Sequence, residues 1–95
     1  MTLRIKATSS FLRMAKKLHI KDKKVVDQAV QHIAEDPLVG EEKKGDLVGV
    51  FVYKFKLNKQ VTLLAYSLNP SKLQPSDLVL LAVGPHENFY TDLKR

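Results

Sequence analysis

The chain has 95 residues, with 16 Lys and Arg against 10 Asp and Glu and a formal net charge of +6. Its 44% hydrophobic content suits one small folded domain, spanning residues 1–95, rather than a disordered chain. The lack of cysteine excludes a disulfide framework, thiolate catalysis and cysteine-based metal sites.

In chain order, Leu3 to Ala7 alternates apolar and polar residues and reads as a short strand. Thr8, Ser9 and Ser10 offer N-caps for a helix carrying Phe11, Leu12, Ala15 and Leu18, with Arg13, Lys16 and Lys17 outside. The helix pauses near His19-Ile20. Asp22 can cap a second helix, in which Val25, Val26, Ala29, Val30 and Ile33 recur at helical spacing. Asp36-Pro37 stops it, because the residue before proline avoids the α region.

Pro37 to Gly49 reads as a charged connection. Val50 to Leu57 then alternates, with Phe51, Tyr53, Phe55 and Leu57 on one face and Val50, Val52, Lys54 and Lys56 on the other. A turn at Asn58-Lys59-Gln60 and a strand from Val61 to Leu68 complete a hairpin. Asn69 to Ser76 is a loop. Leu78 to Val83 is continuously apolar, as in a buried central strand, and Gly84-Pro85 ends it. His86 to Arg95 reads as a short polar tail of helical character. Helices followed by a run of strands define an α+β fold: an N-terminal strand and a helical hairpin packed on a mostly antiparallel sheet.

The charge favours a polyanion as partner, with nucleic acid first, an acidic protein second, and a plain solvated surface as the bland reading. The segment Met1 to Ser10 lacks the apolar core of a secretion signal, and no stretch is apolar enough to span a bilayer. A cytoplasmic protein with no membrane partner is expected.

Several segments, in this order, resemble RelE/ParE-family toxins of bacterial type II toxin–antitoxin systems. Lys43-Lys44-Gly45-Asp46-Leu47 stands where the family has a loop of the form K-L-x-G. Tyr53-Lys54-Phe55-Lys56-Leu57 is similar to the Y-K-I-K-L strand of the RelE branch. Leu63-Leu64-Ala65-Tyr66 resembles that branch's next strand, and Leu80 to Gly84 resembles the last. Pro85 to Tyr90 is similar to the family's C-terminal catalytic segment. The resemblance implies a metal-independent, cofactor-free endoribonuclease that cuts messenger RNA on the ribosome and is neutralised by a cognate antitoxin. ParE toxins share the fold and instead poison DNA gyrase, so the site must decide between the two.

RNA cleavage by a 2′-hydroxyl needs a base, a cation for the crowded phosphate and an acid for the leaving oxygen. Alternation puts Lys54 and Lys56 on one face, about 7 Å apart. By resemblance they match the family's paired strand lysines and would contact RNA; two solvent-facing lysines would look the same. His86 falls two residues after Gly84, where by resemblance RelE has an essential arginine and several relatives a histidine, and a histidine titrates near neutrality. Its bland counterpart is a surface residue. Tyr90 matches the C-terminal tyrosine, which would stack on a base or transfer a proton; otherwise Phe89 or Tyr90 packs the tail. Lys94 and Arg95 would attract phosphate. His19 and His32 read as surface residues. The pattern departs at Thr62 and Leu63, where RelE carries an arginine.

For the antitoxin, the basic helical stretch carrying Arg13, Lys16, Lys17 and Lys24, and the sheet edge, are the expected docking surfaces. Three readings remain: a ribosome-dependent messenger RNA endonuclease, a gyrase inhibitor of the ParE kind, and a catalytically weak RelE-like binding domain.

Overall fold

The computed structural model describes residues 3–85. Its elements are β1 (Arg4–Ala7), α1 (Ser9–Lys16), α2 (Ile20–Glu35), β2 (Glu41–Glu42), a 3-10 turn (Gly45–Leu47), β3 (Phe51–Leu57), β4 (Gln60–Asn69) and β5 (Asp77–Pro85). The expected tail helix falls outside the described residues, and with it His86, Tyr90, Lys94 and Arg95.

The five strands form one sheet in the order β1-β5-β4-β3-β2. Neighbours are antiparallel except β1 and β5, which run parallel. This is the expected α+β layout, with both helices on one face. Strand β5 lies inside the sheet between β1 and β4, which accounts for its unbroken apolar run.

Local chemistry sets the boundaries. Thr8 caps α1: its hydroxyl oxygen accepts from the Phe11 N–H at 3.2 Å. The same hydroxyl lies 3.1 and 3.2 Å from the Leu80 and Leu81 carbonyl oxygens, to which it can donate. One side chain thus starts the helix and ties it to β5. The expected cap of α2 is corrected. The N-cap is His19, without a side-chain hydrogen bond, and Asp22 lies within the first turn. There its charge complements the helix dipole, and its carboxylate accepts from the Asn58 side-chain amide at 3.0 Å. Helix α2 ends at Glu35, and its C-cap Asp36 has the non-helical backbone that the following proline demands.

The main core lies between helices and sheet. Phe11, Val26, Ala29, Val30 and Ile33 meet Phe51, Leu64, Tyr66, Leu68, Leu78, Leu80 and Val83. The step from Leu80 to Val83 breaks the two-residue period. A bulge explains it: Ala65 faces Ala82 and Tyr66 faces Leu80, leaving Leu81 over. The far face of the sheet carries a smaller cluster of Val52, Leu63, Ala65 and Ala82. Two features lay hidden in the charged connection: the two-residue strand β2, which pairs with Phe51 and Val52, and the tie that holds the loop before it. The Tyr66 hydroxyl donates to the Pro37 carbonyl oxygen at 2.8 Å and accepts from the Gly40 N–H at 2.9 Å.

Candidate functional site

Alternation along β3 sends Phe51, Tyr53 and Phe55 toward the helices. Lys54 and Lys56 therefore stand on the far face, both exposed. Cross-strand register fixes their neighbours: Lys54 faces Leu63, Leu63 faces Gly84, and Lys56 faces Val61. The described part of β5 reaches Pro85, opposite Thr62, so that end of the strand is level with the two lysines. Only Lys54 and Lys56, of the expected catalytic and RNA-binding residues, are within the described region, and they share one surface.

Near the position where the resemblance to the RelE branch leads one to expect a strand arginine, Leu63 is fully buried. Thr62 is buried too, its hydroxyl donating to the Gln60 carbonyl oxygen at 3.3 Å. Packing fills these positions, and neither supplies a cation.

The short strand β2 adds charge that sequence reasoning missed. Glu41 pairs with Val52, which puts its side chain on the far face beside Lys54. Lys43 donates to the Glu41 carboxylate. That hydrogen bond, and then the Lys43 charge, hold the Glu41 carboxyl below the usual carboxylate range; slight desolvation opposes them, and the Lys54 charge adds to them. Val39, Glu41, Lys43, Val52, Tyr53 and Lys54 line a shallow pocket of about 280 Å³. The Glu41/Lys43 spacing of two is the strand signal that would have found it, masked by the surrounding run of charges.

At the other sheet edge, Asp77 receives Arg4 Nε at 2.9 Å and Lys6 Nζ at 3.2 Å. Partial burial works to raise the Asp77 carboxyl, but Lys6 and Arg4 outweigh it and bring it below the ordinary carboxylate value. The cations of β1 are thus partly neutralised.

The expected antitoxin-binding residues Arg13, Lys16, Lys17 and Lys24 are all exposed on the helical layer. They stand across the sheet from Lys54 and Lys56, so the helical layer and the far face each carry their own basic surface. Tyr66, part of the strand resemblance, is fully buried under the helices. Burial raises its phenol, the Gly40 hydrogen bond opposes this and the Asp36 charge adds to it. Tyr66 therefore stays protonated and structural. Among the described residues, no three His, Asp or Glu side chains group as metal ligands, and no helix is long and apolar enough to cross a membrane.

This layout recurs in solved toxins. The E. coli toxin RelE, in a mutant form in the free state, superposes with a TM-score of 0.71 and 16% identity, over 98% of this chain and 90% of that one. A RelBE toxin–antitoxin complex from Mycobacterium tuberculosis gives 0.69 and 22%, over 90% and 100%. An archaeal RelE–RelB complex from Pyrococcus horikoshii gives 0.61 and 17%, over 92% and 98%. The protein has the RelE toxin fold. The sequence model of ParE-like toxins of type II bacterial toxin–antitoxin systems matches residues 5–94, and the chain belongs to that family. No curated protein sequence matches it significantly.

Proposed function

We propose that this toxin is a metal-independent, ribosome-dependent messenger RNA endonuclease, held inactive in the cytoplasm by a cognate antitoxin. The observation that carries the reading is the lysine pair. Lys54 and Lys56 stand exposed on the far face, level with the end of β5, from which the segment with His86 and Tyr90 follows in sequence. Two ammonium groups at successive far-face positions suit consecutive phosphates of a bound strand. In this reading they stabilise the charge that builds on the scissile phosphate. His86 and Tyr90 exchange protons with the attacking 2′-hydroxyl and the leaving oxygen, and Lys94 and Arg95 add attraction for the backbone. The antitoxin docks on the helical layer at Arg13, Lys16, Lys17 and Lys24 or along a sheet edge; that solved relatives of this fold include RelBE and RelE–RelB complexes supports an antitoxin partner.

A second reading, inhibition of DNA gyrase, draws support from the ParE-like description of the family and from the absence of a cation at Thr62 and Leu63. It requires no proton-transfer residue. Induction in cells lacking the antitoxin, with 5′-end mapping of messages beside a DNA-break assay, separates the two. Codon-phased cuts that disappear with His86→Ala or Tyr90→Phe are expected. Intact messages with gyrase-linked breaks would overturn the endonuclease reading. Intact messages and intact DNA, from a folded protein, would leave a binding domain without either activity.

A further inference from the structure

The pocket beside Lys54 has a composition that phosphate attraction alone does not explain. A surface built only to hold a polyanion has no use for a carboxylate next to its cation, since the carboxylate repels phosphate. Yet Glu41 stands on the far face, held ionised by Lys43 and within the field of Lys54. Its side chain is 73% exposed, whereas that of Lys43 is 23% exposed. The lysine is thus the more enclosed member, and the carboxylate faces outward. Lys43 contacts Oε1, and the carboxylate retains further lone pairs for incoming donors. The pocket, at about 280 Å³, is near the lower end of small-ligand sites, roughly 300 Å³.

We propose that Glu41, Lys43 and Val39 form a base-reading subsite for a guanine of single-stranded RNA, next to the backbone position held by Lys54. Guanine is the one common RNA base whose Watson–Crick edge presents two adjacent donors, N1–H and N2–H, beside an acceptor, O6. A carboxylate takes both donors, the neighbouring ammonium donates to O6, and Val39 supplies an apolar wall. Uracil, cytosine and adenine each offer a single donor position to the carboxylate. Glu41 is then a specificity-determining residue, while the chemistry stays with the lysine pair and the tail. The proposal rests on the RNA reading of Lys54 and Lys56 given above.

The test is a binding measurement, independent of cleavage. The isotope-labelled full-length protein is titrated with the pentanucleotides UUGUU, UUAUU, UUCUU and UUUUU and followed by amide chemical shifts. The guanine-containing strand is expected to bind about tenfold more tightly, with shifts centred on Val39, Glu41, Lys43 and Lys54. Glu41→Gln should erase that preference and leave UUUUU binding within about twofold, because it removes base discrimination and not the phosphate contact. Lys54→Ala should weaken all four strands together. Equal affinities for the four strands would overturn the subsite. So would a Glu41→Gln variant that tightens all of them alike, since the carboxylate would then act only by repelling phosphate. Failure of the endonuclease reading looks different: guanine preference would persist in binding while messages in cells stay intact. Conversely, phased cuts indifferent to guanine and to Glu41→Gln would remove the subsite and leave the nuclease standing.

Discussion

Tyr66 anchors the loop between α2 and β2 from inside the core. Its ring stacks on Phe51 at a centroid distance of 5.3 Å, and its hydroxyl serves the Pro37 carbonyl and the Gly40 N–H. Removing the hydroxyl leaves two backbone groups with no replacement, so Tyr66→Phe should cost about 1–3 kcal/mol, read as a lower urea midpoint at unchanged slope. Gly40 is constrained by the same contact. A Cβ there would lie 2.7 Å from the Tyr66 hydroxyl oxygen and 2.9 Å from its ring. Gly40→Ala should therefore destabilise as well, and the double variant should cost less than the sum, because Phe removes the closest clash. Strict additivity would mean that the loop relaxes away from the ring. Asp77 makes a different, pH-dependent contribution. Lys6 and Arg4, overcoming partial burial, lower its carboxyl in the folded chain relative to the unfolded one. The stabilisation is complete above the unfolded carboxyl's value, about pH 4, and is lost as pH falls through the lower folded value. Asp77→Asn should accordingly flatten the decline of Tm below about pH 4, and high salt should shrink the difference between the two proteins.

The hairpin of β3 and β4 turns on Asn58 and Lys59, with φ of 54° and 66°. Two consecutive left-handed residues make a type I′ turn, whose twist matches the flanking strands and whose second position favours glycine. Asparagine tolerates this region; lysine has no such advantage. Lys59→Gly should stabilise the fold by about 0.5–1 kcal/mol, read as a higher urea midpoint, and unchanged stability would mean that the unfolded chain gains as much freedom as the turn loses strain. Elements of this kind were legible in the sequence because their signals are local. The alternation of Val50 to Leu57 placed Phe51 and Lys54 on opposite faces, and Thr8 and Asp36-Pro37 marked helix ends where the structure has them. What was illegible depends on partners far along the chain. The parallel pairing of Ile5 with Leu78 leaves no mark on either segment. Leu81 looks like any other residue of an apolar run until β4 imposes the bulge. Asp22 fits the helix-start pattern, but His19 precedes the first turn. The two-residue period around the short strand β2 is masked by the run of charges it lies in, and this strand carries Glu41 to the site. Lys54 and Lys56 were visible as a pair, whereas the carboxylate beside them was not.

At the scale of the molecule, the net charge is +6, and exposed cations stand on both the helical layer and the far face. If the antitoxin docks on the helical layer, its affinity draws on Arg13, Lys16, Lys17 and Lys24 and leaves Lys54 and Lys56 to the substrate side. Exposed ion pairs contribute about 0.5 kcal/mol each at low ionic strength. Replacing all four by alanine should therefore weaken an acidic antitoxin segment by roughly thirtyfold, mostly through faster dissociation and slower encounter, and the loss should fade in high salt. Wild-type affinity in the four-alanine variant would shift docking to the sheet edge. Strand β2 covers only Phe51 and Val52, so among the described residues no strand lies on that edge of β3 beyond them, β4 being on the other side. The two-residue turn pairs Leu57 with Gln60, which directs the Leu57, Phe55 and Tyr53 backbone toward β4 and that of Lys54 and Lys56 outward. An antitoxin strand added there would slow hydrogen exchange at the Lys54 and Lys56 amides and cover the very residues proposed to hold RNA. Neutralisation would then be direct competition, and RNA and antitoxin could not bind together. Docking on the helices alone would leave those two amides unprotected and would require the antitoxin to act by blocking access to the ribosome instead.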